Sequence, residues 1–200
     1  MTIAFDDSRT RENLMRAFAG ESQARNRYIF AAQQADKSRL RLVADAFRFT
    51  ASQEKEHAET FYKLLASCAG QTITVDGGYP VNLSPDMGVL LTAARHNETE
   101  EADVVYPSFA AIARDEGFTQ IADTFAAIAR VEETHAQRFD RFARMLKDDT
   151  LFRADKDTAW LCLNCGHIHY GSEAPRACPV CQHDQGHFIR ADLSPFVSIG

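Results

Sequence analysis

Each of four helical segments in this chain carries a glutamate inside its apolar stripe, and that feature limits the possible folds more than any other. The stripes advance in steps of three and four residues, the seam of a bundle helix. The first runs Leu14, Ala17, Glu21, Ala24, Tyr28, Ala31, Ala35, and the second Val43, Phe47, Thr50, Glu54, His57, Phe61, Leu64. The third is Met87, Leu91, Ala94, Glu98, Glu101, Val105, Ser108, Ile112, and the fourth Ile121, Phe125, Ile128, Glu132, His135, Phe139, Phe142, Leu146. A carboxylate buried alone costs several kcal/mol even after relaxation. Five in one interior must be protonated, paired with cations or bound to metal.

The second and fourth stripes repeat the pattern Glu-x-x-His-Ala-x-x-Phe, at Glu54–Phe61 and Glu132–Phe139. A Glu and a His three apart share one face of a helix, one turn from each other. Each pair follows a partner glutamate, Glu21 by 33 residues and Glu98 by 34. Two such faces with two further carboxylates supply a paired-metal site inside a four-helix bundle. Oxygen and imidazole donors without thiolate suit iron or manganese. The basic residues Arg25, Arg27, Arg48 and Arg138 lie off the stripes, on outward or flanking faces. Tyr28 and Tyr106 fall within two helical turns of Glu21 and Glu101, close enough to hydrogen-bond a ligand or to serve as buried aromatics.

Start signals place Ser38 as a cap of the second helix, Ser84-Pro85 at the start of the third and Thr119, after Gly117, at the start of the fourth. Pro107 inside the third helix should kink it or remove a backbone hydrogen bond near residue 103. The links between first and second and between third and fourth helices are short, which makes two antiparallel hairpins. The segment from Gly70 to Leu83 is too long for a turn. Fourteen extended residues reach about 46 Å, the length of a bundle helix of about 30 residues. The expected fold is mainly α: a ferritin-like four-helix bundle with one long crossover over residues 1–147. The two hairpins also look like a duplication.

After a polar stretch at 148–159, expected as a linker, residues 160–200 form a small β module of the rubredoxin-like or zinc-ribbon-like kind. Cys162-x-x-Cys165 and Cys178-x-x-Cys181 are separated by twelve residues, a spacing that binds one tetrahedral metal, iron or zinc. Gly166 permits the tight turn behind the first pair, whereas Gln182 stands at the matching place behind the second. Trp160, Tyr170 and Phe188 are its expected aromatic core. His167, His169, His183 and His187 lack carboxylate companions and read as surface residues. Cys68 stands alone as a small thiol.

The net charge of −6 argues against nucleic acid as a partner. No stretch approaches the roughly 18 apolar residues of a membrane span. The first residues do not resemble a secretory signal, and cysteines grouped for metal point to a reducing, cytoplasmic setting.

Four segments together, Phe18-Ala-Gly-Glu-Ser-Gln-Ala-Arg-Asn-Arg-Tyr28, Gln53-Glu-Lys-Glu-His-Ala58, Tyr106-Pro-Ser-Phe-Ala110 and Trp160-x-Cys-x-Asn-Cys-Gly166, resemble the rubrerythrins, over nearly the whole chain. The resemblance implies two irons on Glu21, Glu54, Glu98, Glu101, Glu132 and His135, with Glu54 and Glu132 bridging. His57 would be an alternate ligand that trades with Glu101 on reduction. Cys162, Cys165, Cys178 and Cys181 would hold a rubredoxin-type iron, with zinc as a substitute. The implied activity is peroxidase: hydrogen peroxide is reduced to water with electrons from rubredoxin or an NAD(P)H-dependent reductase, in a homodimer or higher oligomer. Glu101, His57, Tyr28 and Tyr106 are the candidate catalytic side chains. Arg95-His96-Asn97 stands where the family usually has Gly-Glu-Asn, beside the first ligand of the third helix. Two rival readings are ferritin-like iron oxidation and sequestration, and a scaffold with a zinc ribbon for protein contacts.

Overall fold

The computed structural model describes residues 3–194. Helices α1 (Arg9–Lys37) and α2 (Arg41–Leu64) form one hairpin. The other pairs α5 (Thr119–Lys147) with a long helix made of α3 (Met87–Glu100), a π-helical turn (Glu101–Val105) and α4 (Tyr106–Asp115). The expected stripes of α1, α2 and α5 face the core, where Leu14, Val43, Phe47, Phe61, Phe125 and Phe139 are fully buried.

The hairpin turns share one geometry. Leu40 N–H donates to Ala35 O and Phe118 N–H to Ala113 O, closing three-residue links of equal length. The middle residue is left-handed in both, Gly117 at φ 91° and Arg39 at φ 55°. Glycine takes that conformation freely, whereas Arg39 does so against a penalty of about 1–2 kcal/mol. Because the loops match, the spacings of 33 and 34 residues differ inside a helix. The extra residue lies in the π turn, where one residue is inserted into the α-helical ladder.

That insertion corrects the third stripe. Beyond Glu101 the buried positions are Tyr106, Ala110 and Ala113; Tyr106 and Ala113 fall one place after the expected Val105 and Ile112, and Ala110 two places after Ser108. Pro107 falls in the first turn of α4, where a missing N–H costs least. Two start signals also moved. Ser38 ends α1, and α2 begins at Arg41 without a side-chain cap. Asp86, not Ser84, caps α3 by accepting from the Gly88 and Val89 N–H groups.

The crossover has no regular structure and lies along α1. Asp76 pairs with Arg16 at 2.9 Å, Asn82 accepts from Arg27, and Pro85 O accepts from Gln34. Its contacts thus climb α1 from residue 16 to 34, about 27 Å at 1.5 Å per residue.

The C-terminal sheet, ordered β2–β1–β3, contains β1 (Arg153–Cys162), β2 (Ile168–Glu173) and β3 (Phe188–Arg190), all antiparallel. Strand β1 therefore reaches back into the stretch expected as a linker. Alternation divides the sheet's faces. Trp160, Cys162 and Phe188 build the module's own core, while Ala159, Leu161 and Ile189 pack into the bundle core with Leu42 and Leu151. Tyr170 pairs with Ala159 and is exposed, so it does not join the Trp160 core as expected; its register assigns it to the opposite face. Gly186 abuts Arg39, and a Cβ there would overlap the Arg39 carbonyl. The module is seated on the α1–α2 turn.

Candidate metal centre

The bundle brings the stripe glutamates to one point. Glu21, Glu54, Glu98, Glu132 and His135 are all buried. Two groups of side chains have ligand atoms lying within 4.8 Å of one another: Glu21, Glu54, His57, Glu132 and Glu54, Glu98, Glu132, His135. Glu54 and Glu132 belong to both. Two cations bound in these groups would share both carboxylates.

The donors fit metal ions. Glu21 Oε2, both oxygens of Glu54 and Glu132, and His57 Nδ1 are buried without a hydrogen-bond partner. His57 Nδ1 is 2.9 Å from Glu132 and 3.2 Å from Glu54, close but not aligned for hydrogen bonds. Each unmet buried group costs about 1–3 kcal/mol, so six aimed at one interior call for cations. Protons partly serve in their place. Burial raises the Glu21 and Glu101 carboxyls, and lifts Glu98 to about 8 despite His135. Burial also opposes the ionised form of Glu54, yet His135 and His57 draw it down to about 2. Burial would lower both histidines, but the surrounding carboxylates outweigh it and push His57 to about 12 and His135 to about 11.

The supporting shell is reciprocal between hairpins. Tyr28 of α1 donates its hydroxyl to Glu98, and Tyr106 of α4 donates to Glu21. His135 Nδ1 lies 2.7 Å from Glu132, and its Nε2 lies 3.1 Å from Gln53 Oε1. Arg138 donates to the same Gln53 oxygen at 3.0 Å and to Thr50 at 2.7 Å. A guanidinium can only donate, so Gln53 presents its oxygen and His135 carries a proton on Nε2. A metal ion would then displace only the Nδ1 proton, the usual arrangement behind a metal-bound histidine. The stripes missed Gln53 and Arg138, which flank core positions rather than occupy them. The available signal was that each adjoins a ligand by one residue or by one turn.

Glu101 is outside both groups. It opens the π turn and borders a small cavity with Gly20, Tyr79 and Tyr106. His57 occupies the ligand group on that side. It is 12% exposed in its side chain and lies at an open groove of about 720 Å³ between α2 and α5, lined by Thr60, Gln120, Thr124 and Ala127.

The four cysteines of the module also converge. Cys162 and Cys181 sulfurs are 3.7 Å apart, and those of Cys165 and Cys178 3.6 Å. Four sulfurs about 2.3 Å from a tetrahedral metal are separated by about 3.75 Å, so the spacing fits. The two knuckles match. Cys162 N–H donates to His167 O and Cys178 N–H to His183 O, while Gly166 and Gln182 N–H return to the first cysteine's carbonyl. Gly166 and Gln182 are both left-handed, at φ 78° and 61°.

Fold and centres together define a ferritin-like carboxylate-bundle metalloprotein with an appended rubredoxin-like module. The chain belongs to the rubrerythrin family. The family described as Rubrerythrin matches residues 12–143 and again 89–159, and that described as Rubrerythrin, rubredoxin-like domain matches 160–189. The chain is 44% identical over 181 residues to Rubrerythrin of Nitratidesulfovibrio vulgaris, covering 90% of this chain and 93% of the relative. It is 41% identical over 182 residues to Rubrerythrin of Clostridium perfringens, again covering 90% and 93%. Among solved structures, the fully reduced, all-ferrous state of nigerythrin is similar at TM-score 0.62 and 28% identity, covering 92% of this chain and 90% of that one. A Desulfovibrio desulfuricans bacterioferritin, at TM-score 0.63 and 21% identity over 70% of this chain and 81% of its own, shares the fold. The family's cofactors are accordingly a diiron carboxylate–histidine site and a four-cysteine metal site.

Proposed function

We propose that the protein is a peroxidase: hydrogen peroxide is reduced to two waters in the bundle, and electrons enter through the four-cysteine centre. The carrying observation is the pair of ligand groups sharing Glu54 and Glu132, with His57 alone among the grouped side chains lining an outer groove. The ligands are Glu21, Glu54, Glu98, Glu132 and His135, with His57 and Glu101 alternating on the side of Glu21.

Two ferrous ions held there would supply the two electrons that, with two protons, convert one peroxide into two waters. The chain's own residues do the rest. The groove at His57 admits a small neutral substrate while the packed bundle excludes bulk water. Tyr28 and Tyr106 fix the carboxylates of Glu98 and Glu21 by donating to one oxygen of each. Gln53 and Arg138 hold the His135 ring in the tautomer that keeps Nδ1 toward the site. Glu98, raised to about 8 by burial, holds a proton at neutral pH in the absence of metal and would give it up on ligating iron.

The electron donor is a rubredoxin or an NAD(P)H-dependent reductase, and the working form a cytoplasmic homodimer or higher oligomer. None of the described helices is long and apolar enough to cross a membrane. The test is stopped-flow spectroscopy of iron-loaded protein. The iron–thiolate absorption should bleach on reduction and return when peroxide is added. Glu98→Ala should abolish the return and leave the thiolate spectrum intact; undiminished turnover in that variant would sink the assignment.

A further inference from the structure

Where the module meets the bundle, a cavity of about 630 Å³ opens between α2, α5 and the end of β3. Its wall on α5 carries Arg138, Arg141 and Arg144, and no acidic side chain lines it. The three arginines follow one another at three-residue steps along this wall, in a chain of net charge −6. Asp140 pairs with Arg144 at 2.7 Å. Arg138 makes its hydrogen bonds to the neutral Thr50 and Gln53, and Arg141 has no ion pair among the described residues. Phe142 of α5 and, across from it, Leu42, Ile189 and Leu193 supply apolar lining.

We propose that this cavity binds a small phosphorylated molecule bearing a flat apolar ring, of the size of a nucleoside diphosphate. The volume is within the range of about 300–1,000 Å³ usual for small-molecule sites. Arginine forks match phosphate oxygens two at a time, and a ring lies against Phe142 and Ile189 while the phosphates meet Arg141 and Arg144. Both chain regions must be in place to form the site, since Ile189 and Leu193 come from the module and the arginines from the bundle. The occupant would also touch Arg138, which reaches the metal centre through Gln53 and His135.

The test is calorimetric titration of the iron-loaded protein with ADP, inorganic phosphate and adenosine, at low salt because exposed charges are screened. ADP is expected to bind at least about tenfold more tightly than either fragment. Arg141→Ala with Arg144→Ala should weaken ADP by about ten- to a hundredfold, from the loss of charge-assisted bonds, while peroxide turnover without ADP stays unchanged. Phe142→Ala should weaken ADP but not inorganic phosphate. Absence of saturable ADP binding, ADP binding no tighter than phosphate, or an unchanged affinity in the double arginine variant would each overturn the proposal.

Discussion

The imidazole rings of His57 and His135 lie nearly parallel, 17° apart with centroids separated by 5.6 Å, although they belong to different helices and different ligand groups. Their settings are unequal. His135 is buried and backed by Gln53, whereas His57 borders the groove. His135→Ala should therefore weaken metal binding at least about tenfold and drop iron below two per bundle, because a ligand is lost and Gln53 and Arg138 lose their partner. His57→Ala should keep both irons, since Glu101, the proposed alternate ligand, would take its place. Metal analysis after gel filtration separates the outcomes; equal iron loss in both variants would contradict the proposed inequality.

Tyr106→Phe should destabilise the metal-free protein by about 1–3 kcal/mol, the cost of leaving a buried acceptor unmet. Tyr28→Phe should do the same through Glu98. Urea unfolding monitored by circular dichroism gives the difference, and no change in midpoint for either variant would show that the hydroxyls are idle.

Replacing Gln182 by Gly should stabilise the four-cysteine module. Its φ of 61° costs a residue with a Cβ about 1–2 kcal/mol relative to glycine, offset in part by the freer unfolded chain. Slower loss of metal to a chelator is the expected sign.

Gly186→Ala should unseat the module, because the new methyl would occupy the space of the Arg39 carbonyl. The iron–thiolate spectrum should persist while small-angle scattering reports a larger molecule. Cleavage by trypsin between Lys147 and Arg153 should quicken as Leu151 leaves the shared core.

Glu116 accepts from the N–H groups of Arg9 and Thr10 and from the Thr10 hydroxyl, closing the start of α1. Burial alone would raise its carboxyl, but these donors hold it below its ordinary 4.5. A depressed carboxyl contributes stability above its unfolded pKa and loses it as pH falls through the folded value. The melting-temperature gap between the wild type and Glu116→Gln should hold steady down to about pH 5 and shrink below about pH 4. A gap that widens on acidification would reverse the assigned sign.

Much of this was legible in the sequence because burial of charge is so costly. A glutamate between Ala17 and Ala24, or between Thr50 and Phe61, announces its own countercharge, and paired cysteines announce a tetrahedral ion. The third stripe failed beyond Glu101 because periodicity assumes an unbroken α-helix. Pro107 signalled a disturbance without its kind, and the unequal spacings of 33 and 34 residues were its only numerical trace. Docking of the module was illegible: Gly186 and Arg39 are far apart in the chain, and neither carries a pattern. Tyr170 was misplaced because composition says nothing about which face a strand residue takes.

The one-residue insertion at Glu101–Val105 bears on how such a centre can arise. Two copies of a single hairpin, related by a twofold axis, are self-complementary: each tyrosine would reach the other copy's glutamate, as Tyr28 and Tyr106 do here. Such a pair offers two identical metal positions, because symmetry forbids any difference between them. Once both hairpins share a chain, a single added residue in one of them is enough to make the positions unlike. The inserted turn is thus where an originally symmetric arrangement acquires a direction.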